Sequence, residues 1–388
     1  MKVTELSNFR RKCTGCQACV QTCPVRAIRM NYSEDGFLYP TIDENTCINC
    51  GACINVCTME QKKEEAINCD IFSAQAKNET ILRKSSSGGV FKLLADVILK
   101  DKGVVFGAFF NSTNKEVRHC STDEVPLESL MQSKYVQSNI SGTYQQVAEM
   151  LKQRRKVLFS GTPCQIHGLK NYLKQKQVLD DYLLTVDFKC HGVPSVRFFQ
   201  AWLKDLENKK NSKLIDITFR EKDLGWRKQI SKAYFENGEV WTQPSRSHYY
   251  YYYFLQNYSL RDSCYSCEEY RYHASDITLA DDWISRYEKN DAGTSLIFVH
   301  TERGEIAFNA ISQYLNIRDV KLELPDLSVY SHEGYDYKRK QWWLKAWKSR
   351  GLGYVSGIMF TSLYYGNGCA AFVERCKNYL KKSFRAKR

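Results

Sequence analysis

Two cysteine runs constrain this chain more than anything else in it. "CTGCQACVQTCP" holds Cys13, Cys16, Cys19 and Cys23, and "CINCGACINVCT" holds Cys47, Cys50, Cys53 and Cys57. Both follow C-x2-C-x2-C-x3-C, in which three thiolates wrap one face of an iron–sulfur cube and the fourth crosses to a sister cube. On that rule Cys13, Cys16, Cys19 and Cys57 hold one 4Fe-4S cluster, and Cys47, Cys50, Cys53 and Cys23 hold the other. Gly15 and Gly51 permit the tight backbone of each wrap. Zinc knuckles, the alternative, show two separated C-x2-C halves. Thr58 stands where a proline is expected after the last cysteine, a departure expected to alter the surroundings of the second cluster.

Between the runs, "SEDG" sits among aromatic and β-branched flanks and predicts a hairpin. Residues 1–65 therefore predict a bacterial two-cluster ferredoxin fold, which conducts electrons without revealing what receives them. The chain has 388 residues, 43% hydrophobic and 13% aromatic, enough for further folded domains. Its N-terminus, "MKVTELSNFRRKCTGC", lacks the apolar core of an export signal, so a cytoplasmic location with reduced, metal-ligating cysteines is expected. The formal charge of +13 is uneven, with thirteen Lys and Arg against one acid in residues 338–388. The rest is nearly neutral, which argues against a nucleic-acid partner.

After a charged linker, "MEQKKEEAINCD", the pattern becomes strand–turn–helix. Ser85, Ser86, Ser87, Gly88 and Gly89 precede an amphipathic stretch that Gly103 ends before the strand "VVFGAFF". Hydroxyls, glycines and free helix N–H groups together suit a phosphate, though an ordinary cap with a flexible loop reads the same. "RRKVLFSGTPCQIHGLKNYLKQ" repeats the plan with Cys164 in its turn, and "YLLTVDFKCHGVPSVRFFQAWLKDLE" repeats it with Cys190. Such units predict an α/β domain with a mostly parallel sheet, here divided into regions 75–180 and 181–320. Ligands sit outside the carboxyl ends of such strands, where Cys164 and Cys190 would meet. "RDSCYSC" adds Cys264 and Cys267, making four thiolates. A third cluster, a zinc site and plain core cysteines all remain open on spacing alone. The adjacent Cys190 and His191 make a poor catalytic dyad, since neighbours on a strand face opposite ways.

Taken together, the two cysteine runs, "SSSGGVF", "GTPCQIHGLKNYL", "CHGVPS", "FREKDLGWRK", "RDSCYSCEEYRYHASDITLADDW" and "GTSLIFVHTERGEIAF" carry a resemblance. The chain resembles the coenzyme F-420 (deazaflavin) hydrogenase/dehydrogenase beta-subunit family in its bacterial form with a fused ferredoxin domain. The resemblance implies an iron–sulfur flavin-dependent oxidoreductase, with FAD in the α/β region beside a third 4Fe-4S cluster on Cys164, Cys190, Cys264 and Cys267. It implies FAD contacts from Ser85, Ser86, Ser87, Gly88 and Gly89. Lys134, Tyr135, Arg220, Lys222, Trp226, Asp276, Asp281 and Asp282 are candidate shapers of the pocket. Their alternative is surface charge, strand-end caps and a core aromatic. Catalytic candidates are His191, Lys134 and Arg220, with His167 a further proton donor. Implied partners are a ferredoxin or other redox-protein donor and an organic substrate, with surface-polysaccharide synthesis one setting. Oxidation of the reduced deazaflavin and a purely electron-transferring subunit are the alternatives.

Two features stand apart. "HYYYYYFLQNY" reads as a helix buried on several sides, with base or sugar stacking the other reading. Residues 321–388 predict a basic helical tail. The uncharged segment 351–373 and the Trp342, Trp343 and Trp347 flank suggest peripheral attachment to an anionic membrane face, against a packed tail or a span.

Overall fold

The computed structural model describes residues 11–59, 69–269, 274–283, 291–320 and 336–365. The linker stretch 60–68, residues 270–273 of the "CEEYRYH" segment and the last residues of the tail, 366–388, lie outside them.

The N-terminal part has two short helices, α1 (Ala18–Thr22) and α2 (Ala52–Asn55), each following a cysteine wrap. Between them β1 (Ile28–Tyr32) pairs antiparallel with β2 (Leu38–Ile42), the hairpin that "SEDG" predicts. β3 (Asp70–Ala76) then enters the main sheet, followed by α3 (Glu79–Lys84) and α4 (Val90–Lys100). β4 (Val104–Asn111) and β5 (Glu116–Ser121) form a second hairpin, followed by α5 (Leu127–Leu130) and α6 (Thr143–Lys152). β6 (Val157–Ser160) leads into α7 (Pro163–Gln175), and β7 (Leu183–Phe188) into α8 (Val196–Lys210).

β8 (Leu214–Glu221), β9 (Ile230–Phe235) and β10 (Val240–Pro244) make a separate three-stranded antiparallel sheet. The tyrosine run is helix α9 (Tyr249–Leu255). β11 (Ile277–Asp281) and β12 (Ser295–Val299) return to the main sheet, with α10 (Glu302–Ser312) and β13 (Leu315–Asp319) after them. The last described element, α11 (Tyr337–Tyr365), is two helices joined at Gly351, where φ is 75°.

The main sheet has eight strands in the order β13-β3-β12-β11-β7-β6-β4-β5. β11, β7, β6 and β4 run parallel at its centre, and antiparallel neighbours extend it on both sides. Regions 75–180 and 181–320 share this sheet, because β6 is bonded to β7 across residues 157–160 and 183–186. Alternate residues of a strand face opposite ways. Val105 and Leu158 accordingly pack under α4 and α10, while Val104, Phe106, Val157 and Phe159 pack under α6 and α7. Ala18 and Val56 of the N-terminal part join that second core, so the cysteine-bearing domain is fused to the sheet's helix layer.

A third core is aromatic. Tyr250 of α9 stacks on Trp202 of α8 at 4.8 Å, and Phe198 of α8 meets Trp343 of α11 edge to face at 4.7 Å. Tyr249, Tyr250, Tyr251 and Tyr253 are buried, so the tyrosine run is core. Trp343 is buried and Trp347 half-buried against Phe198, leaving Trp342 as the exposed member of that trio. Most of the aromatic flank expected at a membrane is therefore turned into the protein. Among the described residues no helix is long and apolar enough to cross a membrane.

Candidate functional site

The cysteines gather in three sets. Cys13, Cys16, Cys19 and Cys57 line one small cavity, and Cys23, Cys47, Cys50 and Cys53 line another, so Cys57 lies with the first wrap's three cysteines and Cys23 with the second's. Thr58 is buried beside the first cavity, which corrects the expectation that it borders the second set. The cause is the crossing itself, since Thr58 follows Cys57. Cys50 is exposed, whereas burial pushes the Cys16 and Cys19 thiols up.

The third set joins distant parts of the chain. Burial raises the Cys164 and Cys190 thiols, with Cys190 and Cys267 acting on the first and Cys264 and Cys267 on the second. Cys164 sits in the first turn of α7 rather than in the turn before it, because Pro163 starts the helix at its first position. The Gln165 side chain caps that turn, accepting from the Thr162 N–H at 2.9 Å. The Thr162 hydroxyl lies 3.1 Å from the Cys164 sulfur and favours a thiolate, but burial outweighs it. One turn on, Gly168 packs against the first set: a Cβ there would lie 3.0 Å from the Cys16 sulfur.

Arg261, just before Cys264, ties the sets together. It is buried and donates through Nε to the Cys13 carbonyl at 2.6 Å and through a terminal nitrogen to the Leu38 carbonyl at 2.8 Å. A terminal nitrogen also lies 3.5 Å from the Cys13 sulfur. Sequence reading missed Arg261, although its place beside a C-x2-C pair was a usable signal.

Beside the third set lies a cavity of about 310 Å³. Its floor is the carboxyl end of the parallel strands: Gly107 and Ala108 from β4, Ser160 to Thr162 at the end of β6, Asp187 to Val193 at β7, and Leu279 to Asp281 at β11. This is the crevice where open α/β sheets hold ligands. Ser85, Ser86, Ser87, Gly89, Lys134, Tyr135, Arg220, Asp281, Cys190 and His191 all line it.

Five of the expected residues fall outside this lining: Gly88, Asp276 and Asp282, and Lys222 and Trp226 behind the serine loop. Gly88 packs its backbone against the sheet, where a Cβ would lie 2.4 Å from the Ala74 carbonyl oxygen. Asp276 is a correction of a different kind. It stands at the opposite end of β11, where its carboxylate accepts from the Thr185 N–H at 2.7 Å and the Thr301 hydroxyl at 2.8 Å, and it joins strands. Asp282 likewise accepts from Ser73 at 2.7 Å.

The serine loop is held from below. Ser85 and Ser87 donate their hydroxyls to the carbonyls of Ile81 and Thr294, so those two protons are spent within the fold. Lys222 donates to the Ser87 carbonyl and Trp226 to the Ser86 carbonyl, which makes both positioning residues behind the loop. Ser86 instead accepts from the Ser133 N–H at 2.9 Å. The first N–H groups of α4, capped by Gly89 at φ 89°, remain as donors for an anion.

Arg220 is the most telling side chain. It is 6% exposed, and one terminal nitrogen donates to Asp281 at 2.6 Å, yet its Nε and other terminal nitrogen are buried without a partner. Burial opposes its charge, but Tyr135 and Asp281 outweigh that and hold the guanidinium protonated. Lys134 is different. Its ammonium donates to the carbonyls of Ser129 and Met131, and burial brings it down to about 7. His191 lies 3.3 Å from the Phe254 carbonyl through Nε2. His167 lies 3.0 Å from Glu269. His119 and Asp187, which sequence reading did not single out, also line the cavity with buried, unpartnered atoms, Nδ1 and Oδ2. Asp187 had a signal, a charge closing an apolar strand; His119 had none.

Two family models match separate parts of the chain. Residues 12–60 match the 4Fe-4S dicluster domain, and residues 154–323 match the C terminus of the coenzyme F420 hydrogenase/dehydrogenase beta subunit. The chain belongs to the F420 hydrogenase beta-subunit-like family, in a form with an N-terminal ferredoxin domain. It is an iron–sulfur redox protein of that family. No curated protein matches it. A solved structure described as a xenon derivative of the F420-reducing [NiFe] hydrogenase complex from Methanosarcina barkeri aligns at 17% identity and a TM-score of 0.47. The alignment covers 75% of this chain and 95% of that one.

Proposed function

We propose that this protein is an iron–sulfur flavoprotein that passes electrons between two ferredoxin-type clusters, a third cluster and an FAD, and so reduces or oxidises an organic substrate. Cys13, Cys16, Cys19 and Cys57 hold the first cluster, Cys47, Cys50, Cys53 and Cys23 the second, and Cys164, Cys190, Cys264 and Cys267 the third. The serine loop, the first N–H groups of α4 and Arg220 would hold an FAD in the strand-end cavity, offering donors to its pyrophosphate and to the carbonyl oxygens of its flavin ring. A flavin exchanges electron pairs with organic molecules and single electrons with clusters, which is the conversion such a chain of cofactors needs. The observation that carries this reading is Arg220: a buried cation with two unpartnered donors costs stability unless a ligand completes it.

The open cavity favours catalysis on a bound substrate over a purely electron-transferring subunit. A reduced deazaflavin and a glycan precursor are the substrate classes the reading admits, and a ferredoxin or other redox protein would dock near exposed Cys50.

Anaerobic purification with iron, sulfide and flavin quantification tests the whole. About twelve irons and one FAD per chain are expected from three cubic clusters and one flavin. About eight irons would remove the third cluster, and Cys190→Ser should lower the count from twelve to eight. Arg220→Gln should weaken FAD retention by ten- to hundredfold, the equivalent of about 1.5–3 kcal/mol for a charged hydrogen bond. Unchanged retention would sink the role given to Arg220.

A further inference from the structure

Behind the cavity runs a line of polar side chains that electron transfer does not use. Asp187, at the end of β7, is wholly buried and lines the cavity, and its Oδ2 has no partner. Its Oδ1 accepts from the Thr278 hydroxyl of β11 at 2.5 Å. The Thr278 oxygen lies 2.9 Å from Nε2 of His300, a partly exposed residue just after β12. Thr278 has one proton and gives it to Asp187, so its oxygen accepts, and His300 carries its proton on Nε2. Every link therefore points the same way, from His300 inward.

We infer that His300, Thr278 and Asp187 form a proton path between the protein surface and the cofactor cavity. This rests on the flavin reading, because two-electron reduction of a flavin takes up at least one proton, which clusters cannot supply. In one passage His300 takes a proton at Nδ1 and gives the one on Nε2 to Thr278. Thr278 gives its own proton to Asp187. No electrons move, and one proton has travelled inward.

The surroundings suit the task. Burial raises Asp187 to about 7, against the Thr278 and Ser275 hydroxyls, so the carboxyl both holds and releases a proton near neutrality. Lys189 and Lys170 face both Asp187 and His300, and Asp276 faces His300. Burial and the two lysines keep the imidazole neutral, the state that relays without trapping charge.

Thr278→Val keeps the side chain's shape and removes the relay hydroxyl. With FAD and iron measured first, reduction of the bound flavin is followed by stopped-flow absorbance in H2O and D2O. The valine variant should retain its cofactors and reduce the flavin about a hundredfold more slowly, the usual scale of a lost proton donor. Thr278→Ser should restore the rate. His300→Ala should be slow and recover with added imidazole, a rescue that a merely structural role would not show. A flavin-loaded Thr278→Val protein with the wild-type rate and solvent isotope effect overturns the path and leaves the flavin reading standing. A wild-type chain without flavin overturns both.

Discussion

At the residue scale, the chain holds several buried polar groups in single arrangements, and His248 shows what that costs. Its ring stacks on Trp202 at 4.8 Å, Nδ1 accepts from the Tyr251 N–H, and Nε2 lies 3.1 Å from the Ser231 hydroxyl. Burial lowers it to about 3. In the unfolded chain it titrates near 6.5. Between those values the unfolded state binds the extra proton, so the stability contribution is complete above 6.5 and is lost as pH falls. Denaturant midpoints should drop on acidification below 6.5, by about 1.4 kcal/mol per pH unit for this one histidine. His248→Gln should flatten that slope, and an unchanged slope would refute the assignment.

At the element scale, α7 sits between two of the cysteine sets. Its first turn carries Cys164, and one turn later Gly168 lets the helix approach Cys16 and the Tyr144 hydroxyl, both 3.0 Å from where a Cβ would stand. Gly168→Leu would force a side chain into this contact. It should destabilise the protein by about 1–3 kcal/mol through overpacking and disturb the first set before the second. Cluster-selective electron paramagnetic resonance of the reduced protein would report this. Equal loss from both ferredoxin sets would argue against the contact as the cause. Alternation was enough to read α7 and its flanking strands from the sequence. The approach of Cys16 was not legible, because Gly168 lies in an ordinary helical pattern and its partner is about 150 residues away.

At the scale of the whole molecule, α11 fastens the two halves together. Lys340 is 2% exposed, paired with Asp35 of the β1–β2 turn at 3.2 Å and with Asp262 beside the third cysteine set. Lys340→Met would leave two buried carboxylates facing each other without their cation. The cost should be about 3–5 kcal/mol, read as a lower thermal midpoint of the iron–sulfur absorbance. Removing residues 338–388 also takes Trp343 out of the aromatic core, so the truncated chain should aggregate rather than simply lose an anchor. A truncated chain that stays dispersed with full cofactors would contradict this.

The sequence by itself determined the ferredoxin spacing, the strand–turn–helix units and the serine loop, while it left open whether the four further cysteines meet. Each is a local or periodic signal, set by how thiolates wrap a cube or how side chains alternate on a strand. Only the tertiary structure decided which polar residues serve the cavity and which serve the fold. Arg220 and Asp281 reached it, Asp276 and Gly88 did not, Lys222 and Trp226 stood behind it, and His119 and Asp187 entered unannounced. It also turned Trp343 inward where a basic, aromatic flank suggested a membrane. The reason is the same in each case: a polar or aromatic residue carries no record of its partner, and long-range packing chooses that partner after the local pattern is complete.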